Sequence, residues 1–141
     1  YRAYQKEISL SEGVEEFLDY CKAHNIFIAI LTNGRTKSQY AKVIALDLHR
    51  WFDDDHIFIS GGIGYQKPDP MAFQYIEKMF SLNPEETWYI GDTYEADVVG
   101  ADGAGWHTVW FNHRNRERLE NCADVTVRSI EELSRFIKER S

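Results

Sequence analysis

The chain has 141 residues, 43% hydrophobic and 28% charged, which suits one folded core and excludes an intrinsically disordered segment. Its 23 acidic and 16 basic residues give a formal net charge of −7, which argues against a nucleic-acid or anionic-membrane partner. The longest wholly apolar run, Ile26 to Leu31, is too short for a bilayer-spanning helix, and the two distant cysteines, Cys21 and Cys122, make neither a disulfide framework nor a metal cluster, so a cytoplasmic setting is expected.

The chain opens at Tyr1, without an initiator Met and without a charged-then-apolar leader. Neither a repeat nor a Pro/Gly/Ser linker interrupts it, so 1–141 reads as a single domain with 1–10 as an entry segment. Ser11 is placed to cap a helix whose apolar stripe is Val14, Phe17, Leu18 and Cys21, with Asn25 ending it. Ile26 to Leu31 is then a continuous, β-branched-rich run bounded by Thr32-Asn33-Gly34, the pattern of a strand buried on both faces. A second helix is expected from about Thr36 to His49, and a short strand from His56 to Ser60.

Asp69-Pro70 opens a third helix, with Asp suited to the cap and Pro to the first helical position. Its inward stripe is Phe73, Ile76, the Glu77 stem and Phe80. Asn83-Pro84-Glu85-Glu86 predicts a single helical turn, and Thr87 to Ile90 a strand ending in Gly91-Asp92. Tyr94 to Ala104 reads as a helix studded with small residues, terminated by Gly105. Strands over His107–Phe111 and Ala123–Val127 follow, and Ser129 with Glu132 forms a capping box for the last helix. This alternation of strands and helices predicts an α/β fold: a three-layer α/β/α, Rossmann-like parallel sheet, with ligands at the carboxyl ends of its strands.

Three strand ends carry unusual polar residues: Leu31-Thr32-Asn33-Gly34, the segment Gly64 to Pro70 with Lys67, and Gly91-Asp92 through Asp97. A hydroxyl with nearby backbone N–H groups, an ammonium and two carboxylates suit a phosphoryl group together with a hard divalent cation.

In these residues the sequence resembles the haloacid dehalogenase superfamily. An apolar strand ending in Thr matches that family's second motif, Lys67-Pro68 its third, and Gly91-Asp92 followed by Asp97 its fourth. The resemblance implies that Thr32 binds a phosphoryl oxygen, helped by Asn33 and the backbone at Gly34. It implies that Lys67 neutralises the phosphoryl charge, that Asp92 ligates Mg²⁺, and that Asp97 acts on the ion through water or from behind the ligands. Gly-Asp with a further Asp suits a cation site, which favours phosphatase over dehalogenase chemistry.

The family's first motif, Asp-x-Asp with the nucleophile, has no counterpart here. Asp53-Asp54-Asp55 follows a helix end and comes after the second motif, so it reads as a solvated turn. The resemblance therefore implies a phosphatase acting on a small phosphorylated metabolite through an aspartyl-phosphate, with its nucleophile upstream of Tyr1. The space between Thr32 and Lys67 holds only a helix and a strand, so any cap also lies upstream, and 1–10 is the linker returning from it. An upstream segment or another copy is expected to fill a vacant central strand between the Ile28–Leu31 and Trp88–Ile90 strands. The competing reading is a non-catalytic descendant that keeps the phosphate and metal rim for binding. The five histidines have no metal-ligand spacing, and the basic run Asn112–Arg118 reads as an exposed loop or a rim contact for a substrate anion.

Overall fold

The computed structural model describes residues 12–140. The expected cap Ser11 and the segment 1–10 lie outside the described residues. The chain divides into two compact units, Tyr1–Gly64 and Tyr65–Ser141.

In the first unit, helix α1 spans Glu12–Ala23, and Asn25 follows it in the left-handed region at φ 56°. Leu18 of α1 packs with Trp51 and Phe52, and Val14, Phe17, Ile28, Ile30, Leu48 and Ile57 close around them. Trp51 keeps its indole satisfied by donating from Nε1 to Asp19 Oδ1 at 2.7 Å. Strand β1, Ile30–Thr32, pairs in parallel with β2, Ile57–Ile59, with Thr32 opposite Ile59. Between them lies α2, Thr36–Ala45, and after β2 comes the single-turn helix α3, Ser60–Ile63.

Two expectations are corrected here. The apolar run beginning at Ile26 joins the ladder only from Ile30, and Phe27 is 44% exposed, so the run is not a strand buried on both faces. Its partner β2 is only three residues long, and the ladder can be no longer than its partner. The helix expected to reach His49 stops at Ala45, because Asp47 turns the chain with a left-handed φ of 53°. That reversal carries Leu48 towards Trp51 and Phe52.

In the second unit, α4 spans Pro70–Phe80, and its cap Asp69 accepts the Met71 N–H at 2.9 Å. Ala72, Phe73 and Ile76 are buried, and Glu77 Oε1 accepts the Trp106 indole N–H at 2.9 Å. Strand β3 is Trp88–Gly91, β4 is His107–Phe111 and β5 is Val125–Val127, all parallel in the order β3-β4-β5. The segment after β3 starts as a π-helix, Tyr94–Val99, and tightens into α5, Gly100–Gly103. Gly100 lets it lie close: a Cβ there would meet the Phe73 ring and the Pro68 backbone. Helix α6, Ile130–Arg140, opens as the capping box predicts, with the Glu132 N–H on Ser129 Oγ at 3.1 Å. The Glu132 side chain reaches one residue further back than expected and accepts the Arg128 N–H at 2.7 Å.

The parallel α/β architecture is thus present as a two-stranded and a three-stranded sheet. Among the described residues, no helix is long and apolar enough to cross a membrane.

Candidate active site

In the first unit the strand end is built from neutral groups. Thr32 leaves β1 half-buried, and its Oγ1 accepts the Gln39 amide N–H at 2.7 Å. With a lone pair occupied by Gln39, the Thr32 hydroxyl proton is left to point at an acceptor. Gly34 has φ 143°, and a Cβ there would press on the Gln39 side chain. The Gly34 N–H already donates to Ser60 Oγ at 2.8 Å, and the Gly34 carbonyl accepts the Gly61 N–H at 2.9 Å. The amide that the sequence offers to a phosphate at Gly34 therefore has an internal partner. Asn33 lies half-buried between them.

The second unit holds the charged groups. Lys67 Nζ donates to Asp97 Oδ1 at 2.6 Å and to the Tyr89 hydroxyl at 3.0 Å. Both side chains of the ion pair are largely shielded, at 12% exposure for Lys67 and 6% for Asp97. The second carboxylate oxygen of Asp97 accepts the Thr93 backbone N–H at 3.0 Å, and the Asp97 N–H donates to the Thr93 carbonyl at 2.8 Å. Asp97 is thus held at both oxygens, by one cation and one amide. Gly91 makes this possible, because a Cβ on it would overlap the Asp97 side chain.

Burial works against the Lys67 charge, but Tyr89 and Asp97 outweigh it and hold its pKa above the usual lysine value. Burial pushes the Tyr89 phenol up to about 12, so it stays protonated beside the ammonium. Strand periodicity explains the arrangement. Tyr89 and Gly91 share one face of β3, and Asp97 packs on that face with Lys67 reaching it.

Asp92 is more open, with 40% of its side chain exposed. Its Oδ2 lies 3.2 Å from His113 Nε2 and 3.3 Å from Arg114 Nη2, and its Oδ1 accepts the Thr93 hydroxyl at 3.3 Å. Burial alone would raise its pKa, but His113, Arg114 and Thr93 together hold it below the usual carboxylate range. Its chemistry fits a hard cation: an ionised, accessible oxygen donor at a strand end. Asp97 fits only an indirect role, since both its oxygens are engaged.

Of the predicted site residues, Lys67 and Asp97 are in direct contact, and Asp92 stands five residues before Asp97 with Thr93 hydrogen-bonded to both carboxylates. Tyr89, His113 and Arg114 are additions. A hydroxyl-bearing aromatic two positions before Gly91 was the available signal for Tyr89. The basic run after β4 was the signal for the other two. In the first unit, ligand atoms of Asp53, Asp55 and His56 lie within 4.8 Å of one another. Both carboxylates are exposed, and the second already lies 2.8 Å from His56 Nδ1, as in a solvated turn.

A family model described as haloacid dehalogenase-like hydrolase matches residues 1–111, and the chain belongs to that family. It is 30% identical over 125 residues to the glyceraldehyde 3-phosphate phosphatase of Pyrococcus furiosus, a match covering 86% of this chain and 51% of that protein. It is 34% identical over 130 residues to the phosphoserine phosphatase of Thermus thermophilus, covering 92% of this chain and 51% of that one. The magnesium-bound crystal structure of the HAD-hydrolase YfnB from Bacillus subtilis superposes with a TM-score of 0.77 at 29% identity, covering 91% of this chain and 56% of that chain. The chain thus spans about half the length of the relatives it matches.

Proposed function

We propose that this chain is the larger part of the catalytic domain of a Mg²⁺-dependent phosphatase for a small phosphorylated metabolite. The observation that carries the proposal is the shielded Lys67–Asp97 pair beside the accessible Asp92, on the strand end that the family's fourth motif occupies. Two phosphatases among the relatives support the reaction class, and their different substrates leave the metabolite itself open. The magnesium-bound relative supports the choice of cation.

In this reading the Thr32 hydroxyl donates to a phosphoryl oxygen, with Asn33 beside it. Lys67 keeps its proton, because Asp97 and Tyr89 stabilise the charged form, and it offsets repulsion between the phosphoryl group and an anionic nucleophile. Asp97 fixes the direction of Nζ and meets a bound ion only through water. Asp92 is the carboxylate in this chain that would hold Mg²⁺, with Arg114 and His113 moving off Oδ2. The ion supplies Lewis-acid charge to the phosphoryl oxygens. The nucleophile is an Asp upstream of Tyr1: its carboxylate oxygen bonds to phosphorus as the alcohol leaves, and water then hydrolyses the aspartyl-phosphate. On the same reading that upstream segment, or another copy, supplies a further strand.

Phosphate release from a panel of phosphate monoesters by the full-length protein tests the proposal. Mg²⁺-dependent release, lost on chelation, is expected. A full-length protein with an upstream Asp-x-Asp that releases no phosphate from any ester would return the chain to a non-catalytic binding role.

A further inference from the structure

The loop after β4 carries three arginines, Arg114, Arg116 and Arg118, on this acidic chain, and of these only Arg114 meets Asp92. Past Arg114, the loop turns to line a cavity of about 570 Å³ with Arg116 and Arg118, which Arg128 faces from the exit of β5. Trp110, Asn121 and Thr126 contribute an aromatic wall, an amide and a hydroxyl, and Glu117 is the only acid in the lining.

The loop is built to hold this shape. Asn112 is 2% exposed, and its side-chain amide binds both sides of one peptide turn: Nδ2 donates to the Arg116 carbonyl at 2.8 Å, and Oδ1 accepts the Arg116 N–H at 2.9 Å. The Asn112 N–H donates to the Val127 carbonyl at 2.7 Å, tying the loop to β5. Arg128 Nε donates to Asn115 Oδ1 at 3.0 Å, a second tie across the same gap. Arg118 is fixed by Glu95 at 2.6 Å and by the Tyr94 ring, 4.1 Å beneath its guanidinium.

Arg116 is the exception. Its backbone does the structural work, and its guanidinium has neither an ion-pair nor a hydrogen-bond partner among the described residues. A turn braced by a buried amide thus presents an uncommitted planar fork to a cavity whose other cations are already oriented. Planar forks bind oxyanions two oxygens at a time. The cavity has room for a molecule with more than one oxyanion group.

We propose that the cavity between the Asn112–Asn121 loop and the end of β5 is a binding site for a small organic polyanion, carboxylated or phosphorylated, with Arg116 and Arg128 as its principal contacts. It is separate from the Lys67–Asp97 pair and does not depend on the catalytic reading. Titration calorimetry on the full chain, at low salt and without divalent cations, tests it with citrate and with pyrophosphate as probes. Saturable binding of at least one probe is expected. Arg116→Gln combined with Arg128→Gln should weaken that binding at least about tenfold, the loss of one charge-assisted contact. Arg35→Ala should leave it within about twofold. Binding of citrate alone assigns carboxylates to the occupant, and binding of pyrophosphate alone assigns phosphates. Arg116→Gln by itself should keep the wild-type melting temperature, since its side chain supports nothing, and it still reads out the binding loss if the double variant fails to fold. Absence of saturable binding, equal binding by folded Arg116→Gln, or loss of binding in folded Arg35→Ala would each overturn the proposal.

Discussion

The two strand ends that carry the family's motifs are made from different physics. At the end of β1, Thr32, Gly34, Gln39 and Ser60 are joined by neutral hydrogen bonds between short polar groups and backbone. At the end of β3, an ammonium and a carboxylate are shielded together, with a phenol and a backbone amide taking up what remains. A neutral hydrogen bond contributes about 1 kcal/mol net. Removing one partner of a buried ion pair costs about 3–5 kcal/mol, because the other charge is left uncompensated. The first end therefore tolerates change and the second does not.

The largest expected effect is at Asp92. In the full-length protein, Asp92→Asn should reduce Mg²⁺-dependent phosphate release to background while far-UV circular dichroism stays native. The side chain is 40% exposed and its ion pairs are of the partly solvated kind, so their loss costs about 1 kcal/mol or less. Near-wild-type rates at saturating Mg²⁺ would remove Asp92 from the cation site.

Lys67→Ala follows, with activity expected to fall at least about 100-fold, the scale of losing one preorganised electrostatic donor. A variant retaining most of its activity would show that the charge at this strand end serves packing alone.

Tyr89→Phe is a milder probe of the same end. It deletes one hydrogen bond to Lys67 and should cost about 1 kcal/mol in urea unfolding. It also bears on pH. Lys67 and Tyr89 both have folded-state pKa values above their ordinary ones, so their contribution is complete below about pH 10 and fades as pH rises through the folded values. Asp92 is shifted the other way, so its contribution is present above the ordinary carboxylate pKa and is lost as pH falls through its depressed value. Phenolate absorbance should show a component titrating near pH 12 in the wild type that is missing in Tyr89→Phe. A wild type in which every tyrosine titrates near pH 10 would contradict the buried contact.

Gln39→Ala, at the neutral end, should have the smallest effect, about 0.5–1.5 kcal/mol from one hydrogen bond to Thr32. A loss as large as that of Lys67→Ala would erase the contrast between the two ends.

Much of this was legible in the sequence, for reasons particular to each element. His107–Phe111 forms the strand its β-branched and aromatic residues predict, and Asp69-Pro70, Asn83-Pro84 and Ser129 start helical turns through side-chain caps that depend only on near neighbours. The extent of β1 was not legible, since an apolar run such as Ile26–Leu31 does not say how much of it finds a ladder partner. Nor was the π-helical start at Tyr94, where Asp97 is set back against Gly91 to meet Lys67. The motifs single out Lys67, Asp92 and Asp97 as expected site residues, but the groups that contact them come from elsewhere in the chain. Tyr89 acts across 22 residues on Lys67, and Arg114 across 22 on Asp92. Contacts of that range are decided by packing, which local pattern does not encode.

On the proposed function, the Lys67–Asp97 pair serves chemistry and not stability. A double-mutant cycle with Lys67→Met and Asp97→Asn, read by both urea unfolding and phosphate release in the full-length protein, tests it most directly. Lys67→Met alone should cost about 3–5 kcal/mol by stranding Asp97, and adding Asp97→Asn should recover most of that stability. Activity should stay at least about 100-fold down in both. A double variant that regains activity together with stability would contradict the account, because it would make the pair a structural brace and nothing more.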